Sequence, residues 1–251
     1  MVQALDRTAL ERLETDGYVV LPGAVPRHLR EPAVRRIDRW IAHDMEPSHM
    51  PTYLAQSACP EEREHPDFLR VFDQSRLRTV VSNLLGPIGP VRRCQIALRF
   101  PESDRMDDRN AVASSLTPHL DGLPTPLNGV SDGSIHHFAL LVGIYLEDVP
   151  KPWCGNLAVW PGSHWKYADC LRRRGPKSLL LGLPSIQLGP PRQLKGAAGD
   201  AFLCHYLLGH SAAPNLSPRI RYALYFRIRH PQHQRLGLGP LVDPWMAWNF
   251  A

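Results

Sequence analysis

The sequence predicts a β-sandwich or barrel with helices packed on one side. Two observations carry this. About seven short apolar or alternating stretches, separated by Gly, Pro, Asn and Asp turn signals, fill residues 91–229, whereas the first 90 residues carry helical periodicities. The two textures are segregated along the chain, and strands do not alternate with helices, which argues against a parallel βαβ sheet. With 251 residues, 43% apolar and 21% charged, the chain suits one sizeable folded unit. No repeat, low-complexity segment or linker interrupts it. A single domain over 1–251 is expected: 1–90 mainly helical support, 91–230 the β core, 231–251 a tail.

The helical third opens at residues 6–15, where Asp6 can cap, Leu10 and Leu13 mark an inner face and Asp16-Gly17 stops the helix. Tyr18-Val19-Val20-Leu21 reads as a buried strand ending at Pro22-Gly23. Val34, Ile37, Trp40 and Ile41 define a second helix, with Pro32 in its first turn or at a kink. Residues 45–66 hold several prolines without a clear period and read as loop. Leu77, Val80, Val81 and Leu84 follow an i, i+3, i+4, i+7 stripe that closes on Gly86 in a left-handed exit.

From Val91 the period changes to two. Ile96, Leu98 and Phe100 alternate with Gln95, Ala97 and Arg99, the pattern of a strand with an apolar face under helices and a polar face toward a cavity. Two long loops, 101–116 and 122–135, flank residues 117–121 and are expected to include a lid. Residues 138–146 form a continuous apolar strand and 155–160 another, stopped by Pro161-Gly162-Ser163-His164; a polar helix or loop spans 166–184. Short strands are expected at 185–188 and 193–194, then 201–206 after the Gly199-Asp200 turn, and finally 221–229. Trp160 and Tyr145 read as core, and Asp200 as a turn residue.

The net charge of +5 is modest and arginine-dominated. Its one dense cluster, Arg172-Arg173-Arg174, lacks interleaved aromatics and reads as a solvated face, so no nucleic-acid partner is expected. Five scattered cysteines without Cys-x-x-Cys spacing give neither a disulfide framework nor a zinc site and point to a reducing compartment. No window approaches a membrane span, so a cytoplasmic protein without a membrane partner is expected. Nothing in the sequence sets the oligomeric state.

The chemistry centres on Thr117-Pro118-His119-Leu120-Asp121-Gly122. On an extended segment His119 and Asp121 share a face, which supplies two-thirds of a 2-His-1-carboxylate set for Fe(II). A second His-x-Asp, His65-Pro66-Asp67, is a decoy: Pro66 rules out a central strand, and Asp67 stands where the N-cap of a helix over Phe68, Leu69 and Phe72 belongs. The third ligand must come from a distant strand. His205 and His210 both follow the Gly199-Asp200 turn, and Arg221, eleven residues after His210, favours His210. An arginine at the start of a returning strand could fork onto a dicarboxylate held at the metal. By strand parity Gln95 and Arg99 face the same pocket, and His136-His137 reads as a loop pair.

These stretches resemble the phytanoyl-CoA dioxygenase-like family of Fe(II)- and 2-oxoglutarate-dependent oxygenases. The likeness runs through His119-Leu120-Asp121-Gly122, residues 141–149, residues 155–164, and Gly199-Asp200 through His210 to Arg221, about residues 91–229 in all. It implies a double-stranded β-helix (jelly-roll, cupin-like) core packed by N-terminal helices. It implies iron ligands at His119, Asp121 and His210, with Arg221 on the distal carboxylate of 2-oxoglutarate; Gln95 and Arg99, placed on the pocket side by strand parity, are expected as further cosubstrate contacts. His205 matches a non-ligand position. Ala212 stands where relatives often carry a polar cosubstrate contact, for which Ser211 is the available substitute. The implied activity is O2-dependent hydroxylation of an unactivated C–H bond in a small molecule, with release of succinate and CO2. The intact Asp121 argues against the halogenating relatives. Two alternatives use the same scaffold: a Zn(II) hydrolase on the same three ligands, and a non-catalytic small-molecule-binding jelly roll.

Overall fold

The computed structural model describes residues 4–102 and 116–250. Helix α1 (Arg7–Asp16) starts where Asp6 accepts a hydrogen bond from the Ala9 amide at 2.8 Å, and stops at Gly17 with φ 81°. Strand β1 (Tyr18–Leu21) follows, then α2 (Arg27–His43), which buries Leu29, Ala33, Ile37 and Trp40. Pro32 lies inside α2, beyond the first turn expected for it.

Residues 45–66, read as loop, contain α3 (Met50–Ala55) and two short 3-10 turns, Pro47–His49 and Pro60–Glu62. Each of these pieces begins beside a proline and is too short to show a period, which is why the pattern hid them. The decoy does open a helix, α4 (Pro66–Asp73), but its cap is His65, whose ring accepts from the Asp67 amide at 3.0 Å. Asp67 instead sits in the first turn and pairs with Arg36 and Arg70. Ser75 caps α5 (Arg76–Leu85), which ends at Gly86; φ there is 83° but ψ is −178°, so the exit is extended, not left-handed helical.

The β core is two facing antiparallel sheets, the double-stranded β-helix. The larger has the order β1-β6-β3-β8-β2 and contains β2 (Gln95–Arg99), β3 (Leu140–Tyr145), β6 (Ala201–His205) and β8 (Arg221–Ile228). The smaller has the order β5-β4-β7, from β4 (Leu157–Val159), β5 (Arg192–Gln193) and β7 (His210–Ala212). Residues 185–188, expected as a strand, are irregular, and His210, expected just beyond a strand, begins one. Helix α6 (Ser163–Arg174) occupies the first part of the segment read as helix or loop. The arginine run closes α6, where cations complement the helix C-terminus, and Arg172 and Arg173 pair with Asp169.

Strict alternation splits the apolar side chains into two cores. Leu140, Val142 and Ile144 on β3, Leu203 on β6 and Leu224 and Phe226 on β8 join the helices in the first core. Leu141, Tyr145, Phe202, Ala223 and Tyr225 turn the other way, between the sheets. A one-residue slip of β3 would exchange the two sets and set each against the wrong core. Tyr145 is core, as expected: its hydroxyl donates to the Leu194 carbonyl (3.0 Å) and accepts from the Leu157 amide (2.9 Å), tying the larger sheet to the smaller. Trp160 is buried, and Asp200 serves its turn by accepting from the amides of Gly23 and Ala197. No described helix is long and apolar enough to cross a membrane.

Candidate active site

Strand β7 is only three residues long, and its first residue carries the imidazole that matters. His210 forms an isolated antiparallel bridge with His119: the His119 amide donates to the His210 carbonyl (2.9 Å) and the His210 amide to the His119 carbonyl (3.1 Å). The segment at 119–121 is thereby clipped to the smaller sheet, and the two rings stand 4.5 Å apart between centroids. Asp121, two residues on, turns to the same side. Its Oδ1 lies 3.7 Å from His119 Nε2 and 3.5 Å from His210 Nε2. One ligand atom from each of the three residues falls within 4.8 Å of the others. Gly122 (φ 74°) follows, and a Cβ there would meet the His136 carbonyl oxygen at 2.2 Å, so the turn after Asp121 packs directly on residue 136.

The surroundings set the chemical state of each donor. In the neutral ring His210 Nδ1–H donates to the Leu208 carbonyl at 3.0 Å, which fixes the tautomer and leaves the Nε2 lone pair facing Asp121. Burial alone would lower the His210 pKa, but the hydrogen bond and charge of Asp121 outweigh it and raise it. Burial would likewise raise Asp121; the Arg227 charge first, then His210 and His119, hold its carboxyl well below the usual range. Desolvation by the walls and then the neighbouring His210 bring His119 down to about 4, although 54% of its side chain faces the opening. The direction is what a ligand needs, a neutral imidazole at pH 7. A carboxylate between two imidazoles attracts a cation.

Arg99 on β2 and Arg221 on β8 are opposed in register. Arg221 is buried, with Nε donating to the Gly155 carbonyl (2.7 Å) and Nη1 to the Ala97 carbonyl (2.9 Å). Burial, and then the charge of Arg221, lower Arg99 to about 10. Like charges directly opposed on neighbouring strands repel, a cost that a bound dicarboxylate relieves. On the same face the next rung pairs Ala97 with Ala223, and the one beyond it Gln95 with Tyr225.

Gln95 faces the pocket side as strand parity predicts, but its Oε1 accepts from Arg227 Nη2 (2.7 Å), so it reaches the site through that arginine. Arg227 escaped the sequence reading. Its one signal was parity, six residues beyond Arg221 on the same strand face; its partner Asp121 lies 106 residues away in sequence. His205 is buried with Nε2 on the Pro244 carbonyl and does not approach the cluster, in line with its non-ligand position. The His136-His137 pair divides: His136 is exposed, but His137 is buried against Tyr206 and His233, contrary to a solvated loop. In β7 Ala212 shares the face of His210, and the alternation turns Ser211 away, so Ser211 is no substitute for a polar contact at 212. Of the two loops, 103–115 lies outside the described residues. The other is organised by Asn128, whose side chain accepts from the Thr125 and Val130 amides and donates to the Leu123 carbonyl.

Comparison with known proteins decides the family. The model of the phytanoyl-CoA dioxygenase (PhyH) family matches residues 13–223. The chain belongs to the PhyH family. No curated protein sequence matches it. Among solved structures it is similar to HygX from Streptomyces hygroscopicus with nickel and 2-oxoglutarate bound, at 19% identity and a TM-score of 0.59, over 91% of this chain and 88% of that one. It is also similar to a non-heme monooxygenase, the ThoJ–nickel complex (20% identity, TM-score 0.59, 89% and 78% covered). A third is SnoN, a non-heme alpha-ketoglutarate-dependent epimerase from nogalamycin biosynthesis (21% identity, TM-score 0.53, 88% and 82% covered). PhyH proteins are Fe(II)/2-oxoglutarate-dependent oxygenases, and Fe(II) and 2-oxoglutarate are the cofactors of this chain. The residues present fit both: two imidazoles with a free nitrogen, a carboxylate oxygen facing them, and two guanidiniums opposed across neighbouring strands.

Proposed function

We propose that this PhyH protein uses Fe(II), 2-oxoglutarate and O2 to hydroxylate an unactivated C–H bond of a small organic substrate, releasing succinate and CO2. The observation that carries the reading is the convergence of His119, Asp121 and His210, with Arg99 and Arg221 stationed behind them. His119 and His210 would hold iron through Nε2 and Asp121 through Oδ1. Iron bound there supplies the oxidising power that couples decarboxylation of the keto acid to oxidation of a C–H bond. Arg221 orients the distal carboxylate: its Nε and Nη1 are fixed on backbone carbonyls, so the guanidinium is set before the anion arrives. Arg99 adds a second positive charge at the same end.

A Zn(II) hydrolase on the same ligands would leave the opposed arginines without purpose, and a non-catalytic jelly roll would have no use for the whole set. The neighbour SnoN is described as an epimerase, and a further one, SnoK (18% identity, TM-score 0.53, 94% and 92% covered), as a carbocyclase. Product mass therefore belongs in the test. Anaerobic addition of Fe(II) and then 2-oxoglutarate is expected to give a weak visible charge-transfer band. Candidate metabolites are then screened for those that stimulate succinate release in air and gain one oxygen atom, with Asp121→Ala as the blank. Arg221→Lys is expected to weaken 2-oxoglutarate about tenfold or more, about 1.4 kcal/mol, because an ammonium cannot fork onto a carboxylate. A folded parent that gives no band refutes the proposal; a product without added oxygen moves it to epimerisation or ring closure.

A further inference from the structure

Only one oxygen of Asp121 is available. Arg227 Nε and Nη2 both reach Oδ2, at 2.9 and 2.8 Å, while Oδ1 faces the two imidazoles. Arg227 Nη2 is held in turn by Gln95 Oε1 at 2.7 Å. The carboxylate is thus clamped from the larger sheet, by β8 and β2, whereas the imidazoles come from the smaller sheet and the segment bridged to it. An unclamped carboxylate can meet a metal with both oxygens. Three protein donor atoms leave three positions of an octahedron, enough for a chelating keto acid and O2; a fourth would take one away.

We propose that Arg227, braced by Gln95, is a positioning residue that restricts Asp121 to single-oxygen ligation and so preserves the coordination position that 2-oxoglutarate needs. The inference rests on the Fe(II)/2-oxoglutarate reading above. Charge acts in the same direction as geometry. The guanidinium offsets the negative charge on Oδ2, which would otherwise repel the incoming dianion. Its planar fork reaches Oδ2 and Gln95 together, which the point charge of a lysine does not. A plain surface ion pair would contribute little, but Asp121 is only 15% exposed in this one.

The test compares the parent with Arg227→Met and Arg227→Lys. Anaerobic binding of Fe(II) alone is followed by tryptophan fluorescence, and that of 2-oxoglutarate to the iron-loaded protein by the visible band. In Arg227→Met, Fe(II) alone is expected to bind as tightly as in the parent or more tightly. Its 2-oxoglutarate affinity is expected to fall about tenfold or more, with a displaced band maximum. Arg227→Lys is expected to recover part of that affinity, and Gln95→Leu to show the same loss in weaker form. Parent-like 2-oxoglutarate affinity and band position in Arg227→Met would overturn the proposal. So would a parallel loss of iron and 2-oxoglutarate affinity with a lowered unfolding temperature, since that is the mark of a merely structural residue. A parent without any band defeats the functional reading first and this one with it; a parent band that Arg227→Met leaves unmoved defeats this one alone.

Discussion

Among the described residues three pairs of histidines lie side by side, and two of them have opposite characters. His119 and His210, with ring centroids 4.5 Å apart, share a carboxylate and turn a nitrogen each toward it. His164 and His205, 5.6 Å apart, are packed under Trp245. Their nitrogens are engaged elsewhere: His164 Nε2 on the Glu14 carbonyl (2.9 Å), His205 Nε2 on the Pro244 carbonyl (2.7 Å) and His205 Nδ1 on the Leu207 amide (3.0 Å). The one left over, His164 Nδ1, is pressed so closely on Gly17 that even a Cβ there would stand 2.5 Å away. Ring proximity is therefore not what makes a metal site. A spare lone pair, a facing acid and room for an ion are.

The contrast can be broken most directly at His210. His210→Ala is expected to abolish the visible band and substrate-stimulated succinate release while leaving the chain folded, by circular dichroism; a surviving band would remove His210 from the ligand set. The mirror experiment, His205→Ala, is expected to leave iron and 2-oxoglutarate binding at parent levels and to cost about 2–4 kcal/mol of unfolding free energy, since it empties a packed aromatic site and frees a buried carbonyl. Lost iron binding in a folded His205→Ala would erase the distinction between the pairs.

The same variant sharpens the pH dependence. Burial lowers His164 to about 4 and His205 to about 3, whereas the unfolded chain titrates near roughly 6.5. The unfolded state therefore takes up protons first. Stability is full above pH ~6.5 and falls on acidification by roughly 1.4 kcal/mol per pH unit for each such ring, until the folded rings protonate near the lowered values. Removing His205 is expected to make the slope of unfolding free energy between about pH 6.5 and 4 shallower by one ring's share. Smallest of all is the decoy. Asp67→Asn weakens the pairs with Arg36 and Arg70, an expected loss of about 1 kcal/mol in chemical denaturation with no change in iron affinity.

How much was legible follows from what each feature depends on. β8 and β2 could be read because helices cover one face and the pocket the other, so apolar and polar residues alternate as geometry demands. His119, Asp121, His210 and Arg221 were found through spacing and family likeness, and the chain brings them to one place. β7 could not be read as a strand: three residues are shorter than any periodicity. The helical pieces between 45 and 66 failed for the same reason, with prolines obscuring them. Arg227 was invisible because its role depends on which residue stands opposite after folding, and β8 offered no local reason to give the second of its two arginines a role of its own. His137 looked solvated because nothing in its own stretch announces that Tyr206 and His233 close over it.

The backbone at Gly155 has a last consequence. A methyl group at that position would stand 2.8 Å from Arg99 Cβ and 3.2 Å from Arg221 Cβ, and its φ of 72° is one that other residues adopt only under strain. The stems of both guanidiniums therefore run against bare main chain, and the end of the barrel that carries Arg99 and Arg221 has no slack to be remodelled. Any divergence in what this scaffold oxidises must be written away from Gly155, where His119 meets the outside. A library built to retarget the enzyme should spend its diversity there and leave residue 155 untouched.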